Sequence, residues 1–320
     1  MNTAGELVIV ASCTHRKKGV VPEALRLSHH PPGLNCAARA DSWRRALDSC
    51  DVEPLRAFDL YAGGFWSVAR SLPPLAHSRG IAARFVVASA GYGLISGDAS
   101  IKPYSATFAG GEDSVVRRTA NRDARAKQLR EWWSLLSSWK GPSGHRGPRS
   151  LRQIAKRAPA SSLLVVASPI YVCAMADDLL EVAKTLTRPE SLVIVSSRSG
   201  FPPALLEHLV PSVAALQPCL GGSLSSLHAR TARHILQRAQ LPLDAAALRT
   251  TYARLASHTE RPAAQVRRPL GDGEVRAFIR SHLKASKQQS LTALLGIYRR
   301  SGFKCEQSRF RALFREVRES

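Results

Sequence analysis

Five segments of this chain concentrate side chains that could do chemistry. The first, Ser12-Cys13-Thr14-His15-Arg16-Lys17-Lys18-Gly19, sets a thiol, hydroxyls, an imidazole and three cations in a row. Such a set can grip a phosphate or a base edge. Cys13 would act as a nucleophile only with a lowered pKa, which the neighbouring cations can supply; ordinary buried packing is the commoner role for such a cysteine. In the second segment, Asp59-Leu60-Tyr61-Ala62-Gly63-Gly64-Phe65-Trp66, an acid and an aromatic precede two glycines that open a helix. Glycines there allow close backbone approach, and a helix start favours an anion, although a plain cap and turn has the same pattern.

The third segment runs from Ser89-Ala90-Gly91-Tyr92-Gly93-Leu94 through Gly97-Asp98 to Pro103-Tyr104. Glycines, two tyrosines and one acid suit a pocket that stacks a planar base and aims a carboxylate at its sugar. Breaking an N-glycosidic bond builds positive charge on the sugar ring, which a carboxylate stabilises, or the carboxylate activates water. Asp98 is the first candidate and Asp59 the second; an Asx turn beside Gly97 is the alternative role for Asp98. Ser168-Pro169-Ile170-Tyr171 and Ser197-Arg198-Ser199-Gly200-Phe201-Pro202 add further small polar groups.

These segments need a scaffold that ends all of them at one edge. Four Val- and Ile-rich runs, Glu6 to Ser12, Arg84 to Ser89, Ser162 to Ser168 and Ser191 to Ser197, have the length and uniform apolarity of buried parallel strands. Helical periodicity fills Asp41 to Cys50, Gly64 to Leu72, Ala124 to Leu136 and Tyr171 to Leu186. The alternation predicts an α/β fold, a three-layer α/β/α domain with a mostly parallel sheet, whose chemistry gathers beyond the carboxyl ends of the strands. Residues 140 to 161 form a basic loop and a short helix that suit a phosphate backbone or a tolerated surface insertion.

The expected organisation is an α/β catalytic domain over 1–240, a helix and linker over 241–271, and a small all-helical domain over 272–320. In the last, helices are expected from Asp272 to about Ala285, from Ser290 to Gly302 and from about Glu306 to Val317. A tight Ser301-Gly302-Phe303 turn gives the final pair a helix-turn-helix outline. The last helix would present Gln307, Ser308, Arg309 and Arg311 to base edges or phosphates. Lys284, Lys287, Arg299, Arg300 and Lys304 would add phosphate contacts around it, as would Arg16 and Lys17 in the first segment.

Composition bounds the partners. Lys and Arg outnumber Asp and Glu by 46 to 24, for a formal charge of +22, a field that attracts polyanions. The expected partner is DNA, with no membrane and no obligate protein partner. No apolar run reaches membrane-spanning length and no signal-peptide pattern opens the chain, which points to the cytoplasm. The six cysteines and ten histidines are dispersed without ligand spacing, so no metal and no cofactor are expected.

The ordered series Ser12-Cys13-Thr14-His15-Arg16-Lys17, Asp59-Leu60-Tyr61, Ser89-Ala90-Gly91-Tyr92-Gly93-Leu94, Pro103-Tyr104 and Leu220-Gly221-Gly222-Ser223-Leu224 resembles a bacterial family related to the core of archaeosine synthase and, more distantly, to uracil-DNA glycosylases. The resemblance covers roughly residues 5 to 235. It implies a base-binding α/β/α fold whose relatives cleave, exchange or modify bases, some of them in phage defence. The Gly-Gln-Asp-Pro-Tyr-His signature of uracil glycosylases is absent, and Cys13-Thr14-His15 stands in its place. The leading expectation is therefore a monofunctional DNA glycosylase for a modified base, with no lysine standing out as a nucleophile. Asp98, or else Asp59, would serve the sugar cation or water, and His15 would assist the leaving base. Tyr92 and Tyr104 would stack that base, and Cys13, Tyr61 and Ser168 would line its pocket. A tRNA base-exchange or base-modifying enzyme and a nucleotide-sensing DNA-binding regulator are the alternatives.

Overall fold

The computed structural model describes residues 5–30, 35–116, 121–143, 145–238, 240–259, 268–285 and 289–319. The chain divides into two compact units, Met1–Arg261 and Pro262–Ser320. The first is α/β, built on a six-stranded sheet of β1 (Leu7–Ser12), β2 (Ala83–Ser89), β3 (Gly93–Ser96), β4 (Ser162–Val166), β5 (Leu192–Ser196) and β6 (Leu209–Pro211). The strand order is β3-β2-β1-β4-β5-β6, and every neighbouring pair is parallel except the β2–β3 hairpin. Leu7 to Ala11 are fully buried, as expected for a strand covered on both faces, where uniform Val and Ile replace alternation.

The four apolar runs of the sequence are β1, β2, β4 and β5, with ends shifted by one or two residues. β3 and β6 were not expected. After Ser89 the chain turns through Ala90, Gly91 and Tyr92, and Gly93, at φ 69°, supplies the left-handed residue that closes this three-residue hairpin. The chain then runs back along β2, with Ser96 opposite Val86.

Register levels the carboxyl ends. Ser12 pairs with Ala88 on one side of β1, and Ala11 pairs with Val166 on the other. From β1 the chain first builds outward through β2 and β3, then crosses to β4 and builds outward the other way. The crevice beyond β1 and β4 is thus the topological switch point, where open α/β sheets bind ligands.

The helices that place the site are α1 (Cys36–Ser49), α2 (Gly64–Ala69), α3 (Leu72–Ser78), α4 (Arg122–Ser138), α5 (Leu151–Arg157), α6 (Pro169–Ala174), α7 (Ala176–Thr185), α8 (Leu227–Leu236) and α9 (Ala245–Ser257). Asn35, Asn121, Ser150 and Asp244 cap α1, α4, α5 and α9 by accepting from the backbone amide three residues on. α4 packs on α1 and α6, while α8 packs on α2 and α3. The helix read as the start of the linker, α9, lies against β6 inside the first unit.

The second unit holds α10 (Asp272–Ala285), α11 (Leu291–Arg300) and α12 (Gln307–Glu319) around its own core. Val275, Ile279, Leu294, Leu295, Tyr298, Cys305, Phe310, Leu313 and Phe314 are buried there. A two-residue parallel pairing joins Arg268–Pro269 to Phe303–Lys304, just after Gly302 at φ 85°. No helix among the described residues is long and apolar enough to cross a membrane.

Candidate functional site

Beyond β1 the chain pairs with the segment that follows the short helical turn Ala57–Leu60. Lys18 N–H donates to Leu60 O at 2.8 Å and Ala62 N–H to Arg16 O at 2.9 Å, while the Thr14 hydroxyl lies 2.9 Å from Ala62 O. This pairing draws Tyr61 beneath the strand end. Tyr61 and Tyr104 share a hydroxyl hydrogen bond of 3.0 Å, and Tyr104 bonds Ser89 Oγ at 2.8 Å. Cys13 Sγ joins the same group, 3.1 Å from the Tyr171 hydroxyl and accepting from Tyr104 and from Ala90 N–H at 3.5 Å. One thiol, three phenols and a serine hydroxyl therefore converge at the ends of β1, β2 and β4, with Tyr61 and Tyr104 brought there by other loops.

Lys17 covers this cluster. Its Nζ stands 4.2 Å from the Tyr104 ring centre and 5.8 Å from that of Tyr61, a cation–π arrangement, with a long hydrogen bond to His15 O at 3.5 Å. Burial lowers the Lys17 pKa, opposed by the negative charges available at Cys13 and Asp113. Burial raises Tyr61, Tyr104 and Tyr171 well above the ordinary phenol value, and proximity to Cys13 adds to each. The three phenols thus stay protonated at neutral pH, with their hydroxyls bonded to one another, to Ser89 and to Cys13. Asp113 is the ionised acid of this neighbourhood. Burial would raise it, but hydrogen bonds from Ser105 Oγ at 2.6 Å and from Ser28 Oγ and N–H at 2.7 and 2.9 Å outweigh that, with help from Arg26.

The loop behind the cluster is held from three directions. Trp132 Nε1 donates to Ala90 O and Trp43 Nε1 to Gly91 O, both at 2.8 Å. Arg149 Nη2 donates to Tyr92 O at 2.6 Å and Nη1 to Leu94 O at 2.5 Å. Ser89 Oγ in turn accepts from the Gly91 and Tyr92 amides. A Cβ on Gly91 would sit 2.4 Å from the Tyr104 ring, so only glycine lets that ring lie against the loop. Arg149 came from the stretch read as a phosphate-riding loop. Instead it is buried, its pKa pushed down to about 10 by desolvation, and its guanidinium also serves Trp139 O and Leu136 O.

Of the expected site residues, the structure gathers Cys13, Tyr61 and Tyr104, together with Lys17, which had been read as a phosphate contact. Ser168 lies half-buried at the start of α6, and its neighbour Tyr171 supplies the group that reaches the cluster. His15 and Arg16 are exposed at the rim. Neither expected stacking residue offers a free face. Tyr104 is fully buried, its ring against Gly91 on one side and under Lys17. Tyr92 is 1 % exposed, lies between Trp139 and the edge of Tyr104, and its hydroxyl accepts from Lys102 N–H at 3.0 Å. The two candidate acids are placed elsewhere. Because β3 runs back along β2, Asp98 emerges toward the amino end of β2, where Gly97 N–H donates to Phe85 O. There Asp98 is exposed and pairs with Arg56 at 2.7 Å, and Asp59 lies 3.8 Å from the same guanidinium. The residues missed by sequence reasoning are Tyr171, Asp113, Trp43, Trp132 and Arg149. Only Tyr171 carried a signal, its place three residues after a strand-end serine.

In the second unit Lys284, Arg300, Lys304, Gln307 and Arg311 are exposed. Arg299 is half-buried and donates to Cys305 O at 3.3 Å. Arg309 is half-exposed and paired at the surface, donating to Asp272 at 2.8 Å and to Leu270 O at 2.9 Å rather than standing free for a base edge. Lys287 lies outside the described residues. Among the described residues, no group of His, Cys, Asp and Glu is arranged to hold a metal ion. No protein-family model, curated protein or solved structure matches this chain.

Proposed function

We propose that the first unit is a three-layer α/β/α domain that cleaves the N-glycosidic bond of a modified base flipped out of DNA. In this reading the second unit is a helix-turn-helix-like module that holds the duplex. The observation that carries it is the convergence of Cys13, Tyr61, Tyr104 and Tyr171, roofed by Lys17, beyond the strands at the switch point. Protonated phenols and a thiol are hydrogen-bonding groups suited to the edge of a base, and the basic charge of the chain suits its phosphates. The resemblance of the motif order to base-acting enzymes adds to this, as does its link to phage defence for the biological setting.

In hydrolysis, water adds at C1′ as the bond to the base breaks, and the base leaves with a proton. Asp113, rather than Asp98 or Asp59, is the acid we assign to the cationic sugar, because its hydrogen bond from Ser105, the residue after Tyr104, holds it on the cluster's side of the sheet, where its charge also reaches Lys17. His15, exposed at the rim, remains the donor for the leaving base.

The test is incubation with EDTA and either unmodified DNA or DNA carrying modified cytosines or thymines, scored by alkali cleavage and mass spectrometry of released bases. Base release lost in Asp113→Asn and kept in Asp98→Asn is the expected result; the reverse moves the acid. Release from tRNA alone would transfer the activity to RNA. For the second unit, Lys304→Ala and Arg311→Ala should each reduce the slope of log affinity against log salt by about one. An unchanged slope would remove the DNA assignment of these helices.

A further inference from the structure

We infer that Lys17 is an amine nucleophile that forms a Schiff base with the C1′ aldehyde of an abasic deoxyribose, an activity beyond hydrolysis. The inference rests on the reading of this site as one that handles the sugar of a DNA nucleotide.

A lysine drawn into a protein commonly brings a carboxylate with it, because an uncompensated ammonium is costly to bury. Among the described residues, no carboxylate stands within ion-pair distance of Lys17, and Asp113 acts on it only from farther away. Its surroundings are instead the Tyr104 and Tyr61 rings and a carbonyl 3.5 Å away. Lys102, whose amide bonds the Tyr92 hydroxyl, is engaged at the end of α1, donating to Leu47 O at 2.7 Å and Asp48 O at 3.2 Å. The Lys17 backbone is fixed by its bridge to Tyr61, so the amine has a set position at the carboxyl edge of the sheet. It also keeps partial exposure to solvent, so a substrate can reach it. Burial shifts the amine toward its neutral form, the state that attacks a carbonyl. The adjacent phenols hold their protons, so the proton that the carbonyl oxygen needs comes from water.

The step balances without a cofactor. The Nζ lone pair forms a bond to C1′ of the ring-opened sugar, and the carbonyl π pair moves to oxygen, which takes a proton. Loss of water from the carbinolamine leaves a protonated imine. Loss of the C2′ proton to water then places its electron pair in the C2′–C3′ bond as the C3′–O bond breaks, releasing the 3′ phosphate and nicking the strand.

The probe is duplex DNA with one pre-formed abasic site, treated with the full-length protein and sodium cyanoborohydride, which delivers hydride to the imine carbon. Wild-type protein should give a covalent adduct that tandem mass spectrometry maps to Lys17. Lys17→Arg, which keeps the charge, should lose trapping at least tenfold, while Lys18→Arg should keep it. No adduct, or one mapping to another lysine, overturns the inference whether or not the Arg variant folds. The pre-formed aldehyde separates this result from base excision. Base release without an adduct would sink the amine alone, whereas an adduct without base release from any DNA would keep the amine and sink excision.

Discussion

The two units handle charge in opposite ways. In the first, several charged side chains turn inward. Arg39 donates to the carbonyls of Leu27, Ser114 and Val115, Arg149 to those of Tyr92, Leu94, Leu136 and Trp139, and Asp178 accepts from the Leu151 and Arg152 amides at the start of α5. In the second, 13 Lys and Arg stand against 5 Asp and Glu, and Lys284, Arg300, Lys304, Arg311, Arg315 and Arg318 are all exposed. A guanidinium buried among carbonyls organises loops, whereas a shell of exposed cations over a small apolar core leaves its charge facing solvent. The same residue type therefore does positioning work in one unit and surface work in the other, and net charge alone does not distinguish them.

Removing an inward arginine gives one of the two largest expected effects. Arg149→Met removes a donor from four backbone carbonyls, of which Leu136 O keeps the Trp139 amide, and should cost about 3 kcal/mol, at roughly 1 kcal/mol for each of the three abandoned acceptors. All five tryptophans lie in the first unit, so their fluorescence during urea unfolding reports this loss directly. A shift below about 1 kcal/mol would mean that the guanidinium does not hold the loop. Phe310→Ala tests the other half of the comparison. Phe310 is fully buried against Tyr298, with ring centres 5.3 Å apart, and its truncation should cost the second unit about 3 kcal/mol. Far-UV circular dichroism should show an earlier helical transition while tryptophan fluorescence keeps its midpoint. Joint movement of both signals would break the separation drawn between the units.

How far the site was legible follows from where each partner sits along the chain. β1, β2, β4 and β5 announced themselves as Val and Ile runs closed by serine, and residues at their ends, Cys13 and Ser89 among them, were legible as site candidates. Four residues, Gly93 to Ser96, are too few and too glycine-bounded to signal a strand, and missing that hairpin placed Asp98 at the wrong end of the sheet. Lys17 lay in a run of cations and was read by its charge, because the tyrosines it covers are supplied by loops far along the sequence. The Trp43 and Trp132 hydrogen bonds join residues 48 and 42 positions apart. No local pattern encodes a contact of that range. Arg149 was hidden in the same way, its inward turn set by carbonyls that only the folded hairpin presents.

The next effect is smaller and depends on pH. Burial lowers the pKa of His208 and of His228 below the ordinary imidazole value, and for His208 it does so despite the exposed Glu207 nearby. A depressed folded pKa means that the unfolded chain takes up the proton first as pH falls. Stability of the first unit should therefore be intact above about pH 6.5 and decline as pH drops through the folded values, by about 1.4 kcal/mol for each unit of pKa difference. Urea midpoints followed by tryptophan fluorescence at pH 7.5 and 5.5 measure this. His208→Leu should flatten the dependence. A slope unchanged in that variant would assign the acid sensitivity to other groups.

Matched caps give the finest comparison. Asn121 Oδ1 accepts from Ala124 N–H at the start of α4, and Ser290 Oγ accepts from Ala293 N–H at the start of α11. Either cap replaced by alanine should cost about 1 kcal/mol. The same energy should read differently in temperature, because the unfolding entropy that divides it grows with the number of residues that melt together. In a unit as small as Pro262–Ser320, Ser290→Ala should lower Tm by about 4 to 8 °C. In the much larger first unit, Asn121→Ala should lower it by about 2 to 4 °C. Calorimetry on the two variants decides the point: unequal shifts in that order mean two melting units of different size, whereas equal shifts mean that one cooperative transition spans the chain.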